Sequence, residues 1–276
     1  MKQALNRVKQ LRPIDDVFFE KLIEDKNVCE EILRVILEDN NLKVLSVTPQ
    51  KSIKNLYGRS IRLDAYCRLG NGDLCNIEVQ RSDKDDHVKR VRYNASCITA
   101  NNTDVGVDFV DVPDVTIIFI SAFDIFKQGR TIYHCGNMIQ ETNTLVDNGL
   151  SEIYVNTAIN DGSKISELMK CFLLEQIDNE KFPLLSNRVW YFKNDEGGLN
   201  TMCKIVEDYA KEIAKDYAKE IAKDYAKEIA DKRDLDNVKN MFKNKGSLEL
   251  AIATFKNVSE ATIQKIYEEV VAKNNN

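Results

Sequence analysis

The spacing of apolar positions changes several times along the chain, and each change predicts a new element. Residues 14–38 place Phe18, Leu22, Ile32, Val35 and Ile36 at helical spacing, broken near Asn27, which predicts two short helices. A strand over Lys43–Thr48, ended by Pro49, and a strand piece at Ile53–Tyr57 follow. From Ile61 the period becomes two. Ile61, Leu63, Ala65, Cys67 and Leu69 share one face, and Arg62, Asp64, Tyr66 and Arg68 the other. After the turn, Cys75, Ile77 and Val79 alternate with Leu74, Asn76, Glu78 and Gln80. Gly70-Asn71-Gly72 suits a three-residue hairpin loop with a glycine in the left-handed region. That loop sets Asp64 opposite Glu78, with Cβ atoms ~4.5–5.5 Å apart. A loop one residue shorter would put the two acids on opposite faces.

Beyond the hairpin the pattern turns helical over Lys84–Thr99. VTIIFIS (115–121) then reads as a buried strand. Thr131–Met138 and Glu152–Ala158 are further strand candidates, followed by a helix over Lys164–Gln176 and an aromatic segment at 188–193. From Asp208 to Ala230 the chain repeats DYAKEIAK, a strong helix former in which every residue class recurs at intervals of four. A spacing of four overshoots the helical turn by ~40° per step. The apolar stripe therefore winds round the helix, which argues against a long left-handed coiled coil. A spacer helix or a homo-oligomer contact through 208–230 are the readings. The tail shows amphipathic pieces at Leu235–Phe242, Leu248–Phe255 and Ala261–Val271, with Ser259 a candidate N-cap for the last. The organisation predicted is a main domain over 1–200, the helical repeat over 201–232 and a small helical tail over 233–276.

Composition narrows the function classes. The chain has 276 residues, of which 43% are hydrophobic, enough for one sizeable core and an appendage. No long apolar run or signal-peptide pattern is present, and seven cysteines in no CxxC arrangement read as free thiols, so a cytoplasmic protein with no membrane partner is expected. With only His87 and His134 available, a His-rich zinc site or a His-based triad is disfavoured, and both are expected to be structural or surface residues. A net charge of −5 means that nucleic-acid binding would need a local basic face.

Asp64 and Glu78 on one face can hold a hard cation, since Mg²⁺ takes one or two carboxylates and completes its shell with water and substrate oxygens. They also read as ordinary acids on a solvated strand face, paired with Arg62 or Arg68. Lys84, Lys89, Arg90, Arg92 and Tyr93 on the following helix can hold phosphates and stack on a base, although Asp83, Asp85 and Asp86 dilute that patch.

An Asp on one strand followed by Glu-x-Lys on the next is the core of the PD-(D/E)XK nucleases, and Glu78-Val79-Gln80 resembles it with Gln in place of Lys. More of the chain resembles one branch, the Rpn family of recombination-promoting nucleases and transposases. The matching segments are DDVFFEKLIED (15–25), the Ile-Glu-x-Gln form at 77–80, RVRYNAS (90–96) and RVWYFKNDEGG (188–198). The order helix, three strands, helix, strand suits many α/β folds; the resemblance implies a restriction-endonuclease-like core with a C-terminal helical extension. It also implies an Mg²⁺- or Mn²⁺-dependent DNA endonuclease serving recombination, transposition or phage defence. Asp64, Glu78 and the Val79 carbonyl would be metal ligands. Gln80 would be a catalytic group, and Asp16 a third acid, where the residues alone also suit a helix N-terminal charge. The competing expectation is a nucleic-acid-binding or interaction protein that keeps this fold without catalysis, because glutamine lacks the charge a lysine brings.

Overall fold

The computed structural model describes residues 2–55, 58–84 and 86–274. They form two compact units, one reaching Glu207 and one starting at Asp208. The first unit begins with α1 (Lys2–Gln10), α2 (Asp16–Ile23), α3 (Lys26–Ile36), β1 (Val44–Ile53), β2 (Ile61–Leu69), β3 (Leu74–Gln80) and α4 (His87–Asn101). It continues through β4 (Val115–Ser121), β5 (Ile132–Cys135), β6 (Asn137–Ile139), β7 (Thr144–Val146), β8 (Leu150–Asn156), α5 (Lys164–Cys171) and α6 (Pro183–Asn194) into α7 (Glu196–Lys243).

Six strands make one mixed sheet in the order β1-β2-β3-β4-β8-β5. β1, β2 and β3 pair antiparallel, and β3, β4 and β8 parallel. A parallel link needs a crossover, which α4 supplies between β3 and β4. β4 lies between two strands, and every residue of VTIIFIS except Thr116 is buried, as its unbroken apolar run requires. Helices cover both faces. Phe18, Leu33, Phe172 and Val189 pack with Cys67, Ile77 and Ile118 on one side. On the other, Val91, Ala95 and Ile98 of α4 pack with Leu74, Ile117 and Phe119. The core is the expected α/β arrangement of helix, three strands, helix and strand.

The hairpin has the anticipated register. Ala65 pairs with Ile77, Tyr66 with Asn76, Cys67 with Cys75 and Arg68 with Leu74. Leu69 N donates to Asp73 O at 2.9 Å, and Gly72 takes φ 99°. Two expectations about the strands fail. β1 does not stop at Pro49 but runs on to Ile53, with Pro49 paired to Ala65; β1 is an edge strand, where a missing N–H is tolerated. The single apolar face of β2 also divides. Ala65, Cys67 and Leu69 join the first core, whereas Ile61 and Leu63 join the second. The division falls at Asp64, between the Pro49–Ala65 and Lys51–Leu63 pairs, where Gln50 on β1 holds φ 49°. The register is the same on either side of Gln50, so the division coincides with this positive φ without an inserted residue.

Other boundaries shift. α4 starts at His87 because Asp86 caps it, accepting from Lys89 N at 3.1 Å. α5 ends at Cys171, short of Gln176, where i→i−3 bonds from Leu173 and Leu174 tighten the last turn. Thr131–Met138 divides into β5 and β6, β6 pairing with β7 in a separate exposed hairpin, and the aromatic segment 188–193 lies inside α6. Tyr57 and Asp85 lie outside the described residues.

In the second unit the 208–230 repeat and the piece at Leu235–Phe242 belong to one helix, α7. Lys245 at φ 62° and Gly246 end it, and α8 (Leu248–Thr254) and α9 (Glu260–Asn274) follow. Ser259 Oγ accepts from Thr262 N at 3.3 Å, so it caps α9 as expected. Val238, Phe242, Ala251, Ile263 and Ile266 form a small core.

Candidate active site

The site is built on β3, whose α4-facing residues are Leu74, Asn76 and Glu78. Asn76 and Glu78 are fully buried polar groups inside a sheet. Burial of this kind is costly unless each group finds partners. For Glu78, Oε1 accepts from Asn76 Nδ2 at 2.8 Å and Oε2 from Arg90 Nη2 at 2.8 Å, and the Asp64 backbone also hydrogen-bonds to the carboxylate. Asp64, on β2, accepts at Oδ2 from Val79 N at 3.1 Å. The hairpin thus ties the Asp64 carboxylate to the strand that carries Glu78.

Gln80 is held at both ends of its amide. Its Oε1 accepts from Arg90 Nη1 at 3.2 Å, and its Nε2 donates to Ser82 O at 3.1 Å and Ser82 Oγ at 3.3 Å. One guanidinium therefore bridges Glu78 and Gln80. Asp16 is the first residue of α2. That helix start is fixed by Asp15, which accepts from Arg12 N at 2.7 Å and pairs with Arg81 Nη1 at 2.6 Å, next to Gln80.

Beside these groups lies a cleft of about 870 Å³. Asp16 and Asp64 line it, with Arg90, Arg92, Lys89 and Tyr93 from α4 and Arg59 and Arg62 from the segment entering β2. Glu78 does not line it, lying buried under the Arg90 contact. Lys84 sits in the exposed stretch before α4 and does not line it either. The Tyr93 hydroxyl donates to Arg59 O at 2.6 Å and accepts from Asn55 Nδ2 at 3.2 Å, so it holds the segment carrying Arg59. Lys89 pairs with Asp86 at 2.8 Å. His87 packs between Phe119 and Phe123, with ring centroids 5.2 Å away in each case, a core role as expected.

At the buried acids, carboxyl charge outweighs the Arg90 charge that reaches them, although the cleft lining as a whole is basic. Burial, then the neighbouring Glu78 carboxylate, push the Asp64 carboxyl up to about 8, against the Val79 N–H and the Arg90 charge. Burial also raises Glu78, with Asn76 and Arg90 opposing it, and raises Asp16. A divalent cation would remove that imbalance. Two hard carboxylate donors fit Mg²⁺, which needs few protein ligands. Among the described residues, no group of three or more His, Cys, Asp or Glu is arranged to hold a metal ion.

Asn76, Arg59, Arg62 and the Asp15–Arg81 pair were not named as site residues from sequence. Asn76 and Arg62 each stand two residues from an acid on the same nominal strand face, which was the available signal. Arg59 and Arg81 carried none.

An Asp on one strand of a β-hairpin and a buried Glu on the next, followed by a helix that returns a cation to them, fit a PD-(D/E)XK-type fold. The family model of the PD-(D/E)XK nuclease family transposases matches residues 13–173, and the chain belongs to that family. Such membership is consistent with the Rpn branch. Neither the curated proteins nor the solved structures contain a match.

Proposed function

We propose that this protein is a Mg²⁺-dependent DNA endonuclease that hydrolyses phosphodiester bonds. The carrying observation is the meeting of Asp64 and Glu78, two carboxyls raised by burial, beside a cleft rimmed by Arg59, Arg62, Lys89 and Arg92. Asp64, Glu78 and the Val79 carbonyl would hold the cation, with Asp16 the third acid at the cleft. The cation would activate water and neutralise charge building on phosphorus. The basic rim would grip phosphates on either side, and the Tyr93 ring would lie against a base or sugar. Gln80 would act by holding Arg90, whose guanidinium brings a fixed positive charge to the place where lysine stands in the wider superfamily. Mn²⁺ would substitute for Mg²⁺, and recombination, transposition or phage defence would be the setting.

A second reading, a DNA-binding protein without catalysis, is favoured by one contact: Arg90 already occupies an oxygen of Glu78. Supercoiled plasmid incubated with purified protein in Mg²⁺, Mn²⁺ or EDTA separates the two. Nicking in either metal, abolished by EDTA and by Asp64→Ala, is expected. Plasmid binding without nicking in any metal would establish the second reading instead.

A further inference from the structure

Residues 93–126 and 131–163 contain no lysine or arginine, whereas the cleft rim carries Arg59, Arg62, Lys89 and Arg92. Those two stretches hold nine acids, enough to leave the rest of a chain of net charge −5 positive. Two of their segments are rooted side by side. Val115 pairs with Leu150, Val115 N donates to Gly149 O at 2.8 Å, and a Cβ on Gly149 would strike the Asp114 carboxylate. The loop entering β4 and the β6–β7 hairpin preceding β8 therefore leave the sheet at one end. β3 starts there too, since Leu74 pairs with Val115. The seven residues of β3 put Gln80 ~20 Å from that end.

Both segments expose apolar side chains. Phe109 and Val110, on the 3₁₀ turn Phe109–Asp111, are 95% and 88% exposed, and Leu145 is 75% exposed. Val105, Met138, Ile139 and Val146 are exposed as well. Asp104, Asp108, Asp111 and Asp114 are interspersed with the apolar residues of the loop, and Glu141 and Asp147 flank those of the hairpin. Every residue of β6 and β7 is exposed, so neither face of the hairpin is covered. A two-stranded hairpin is marginal in water by itself. Apolar surface gathered in one place and rimmed by polar groups marks a site of interaction.

We propose that this end of the sheet is a docking surface for a protein partner whose contacting segment is cationic and amphipathic. The partner's apolar side chains seat on Phe109, Val110 and Leu145, and its lysines or arginines pair with Asp104, Asp108 and Asp111. Charge complementarity selects this occupant. Acids with no base among them repel nucleic acid and anionic lipid alike, and opposite charge on the partner steers its approach and sets aside wrong partners. The apolar anchors gain only from burial, which a free cation or a purely polar chain does not supply. Anchors at the centre and charges around them are the anatomy of a protein–protein contact. The surface lies at the opposite end of β3 from Gln80, so its occupation does not depend on the nuclease assignment.

The test uses the full-length chain and, as probe, a fluorescent helix-forming peptide of leucine and lysine with leucine along one face. A scrambled peptide of the same composition is the charge control. Fluorescence anisotropy should show the amphipathic peptide binding more tightly than the scrambled one. Phe109→Ser/Val110→Ser/Leu145→Ser should weaken that binding roughly tenfold or more, as loss of central anchors does. Those side chains are at least 75% exposed, so the variant loses no packing, and an unchanged melting temperature checks this. Asp104→Asn/Asp108→Asn/Asp111→Asn should weaken binding and flatten its salt dependence. Equal binding of the two peptides, or equal binding by wild type and the serine variant, would overturn the proposal. Dimers of the full-length chain that the serine variant loses would overturn it in favour of a second copy. Flotation with zwitterionic vesicles that the serine variant loses would overturn it in favour of a lipid surface.

Discussion

Arg90 and Glu78 form an ion pair across the joint between α4 and β3, Nη2 to Oε2 at 2.8 Å, with the glutamate side chain fully buried and the arginine about one-third exposed. The pair locks the helix that covers the sheet to the strand that carries Glu78. It also gives the buried carboxylate a charged hydrogen-bond partner, and the same guanidinium reaches Gln80 at 3.2 Å.

Arg90→Ala should therefore lower nicking ~10²–10³-fold if its charge serves the reaction. It should also destabilise the fold by on the order of 1–3 kcal/mol, since it leaves Glu78 buried without a cation. The double variant Arg90→Ala/Gln80→Lys should recover at least part of the rate, because lysine at 80 restores a positive charge at the same place. Single-turnover cleavage, with denaturant melts as the stability control, checks this. A folded double variant no faster than Arg90→Ala would show that charge at this position is not what the site uses.

Asp64→Ala and Glu78→Ala should each abolish cleavage, Asp64→Ala without loss of fold. Calorimetric titration with Mn²⁺ should show the loss of binding directly. Full cleavage by either purified variant would end the metal-site assignment.

The pH dependence follows from Asp64. Its carboxyl is raised to about 8 in the folded chain, well above an ordinary carboxylate. Between roughly pH 4 and pH 8 the metal-free folded protein thus holds more proton than the unfolded chain, and the stability present at low pH is lost as pH rises through that window. Asp64→Asn should flatten the decline. Mg²⁺ favours the ionised pair, so its increase in Tm should be larger at pH 8 than at pH 5. Thermal melts at both pH values, with and without Mg²⁺, read the difference; an equal increase at both would contradict it.

Inserting one residue between Gly70 and Gly72 should abolish nicking while leaving an α/β circular dichroism spectrum. The register that pairs Ala65 with Ile77, next to Asp64 and Glu78, is closed by the Leu69–Asp73 contact and the φ 99° of Gly72. A shift of one residue turns one acid to the opposite face. Retained cleavage would mean that the acids do not act through this register.

Arg92→Ala should weaken DNA binding uniformly across sequences and reduce the slope of log K against log[salt] by about 1. Lys84→Ala should leave the slope unchanged, since Lys84 stands off the cleft. Binding titrations in EDTA across a salt series distinguish the two.

The sequence by itself determined whatever depends on local period. The hairpin register could be read from alternation and a Gly-Asn-Gly loop, because a period of two leaves few ways to bury Cys67, Cys75 and Ile77 together. The buried strand 115–121 and the repeat helix were legible for the same reason. Tertiary structure decided what depends on contacts between distant elements. Pro49 within β1 is permitted only by an edge position, which no local pattern reveals. Ile61 and Leu63 change core where Gln50, on the neighbouring strand, holds a positive φ, which the alternation within β2 does not reveal. Above all, the role of Arg90 is a tertiary fact. On its own helix it is one basic residue among several on a face diluted by acids, and α4 packing over β3 turns it into the partner of a buried glutamate. Hydrophobic periodicity is written residue by residue along the chain, whereas the charge compensation of a buried group depends on which surface the fold brings over it.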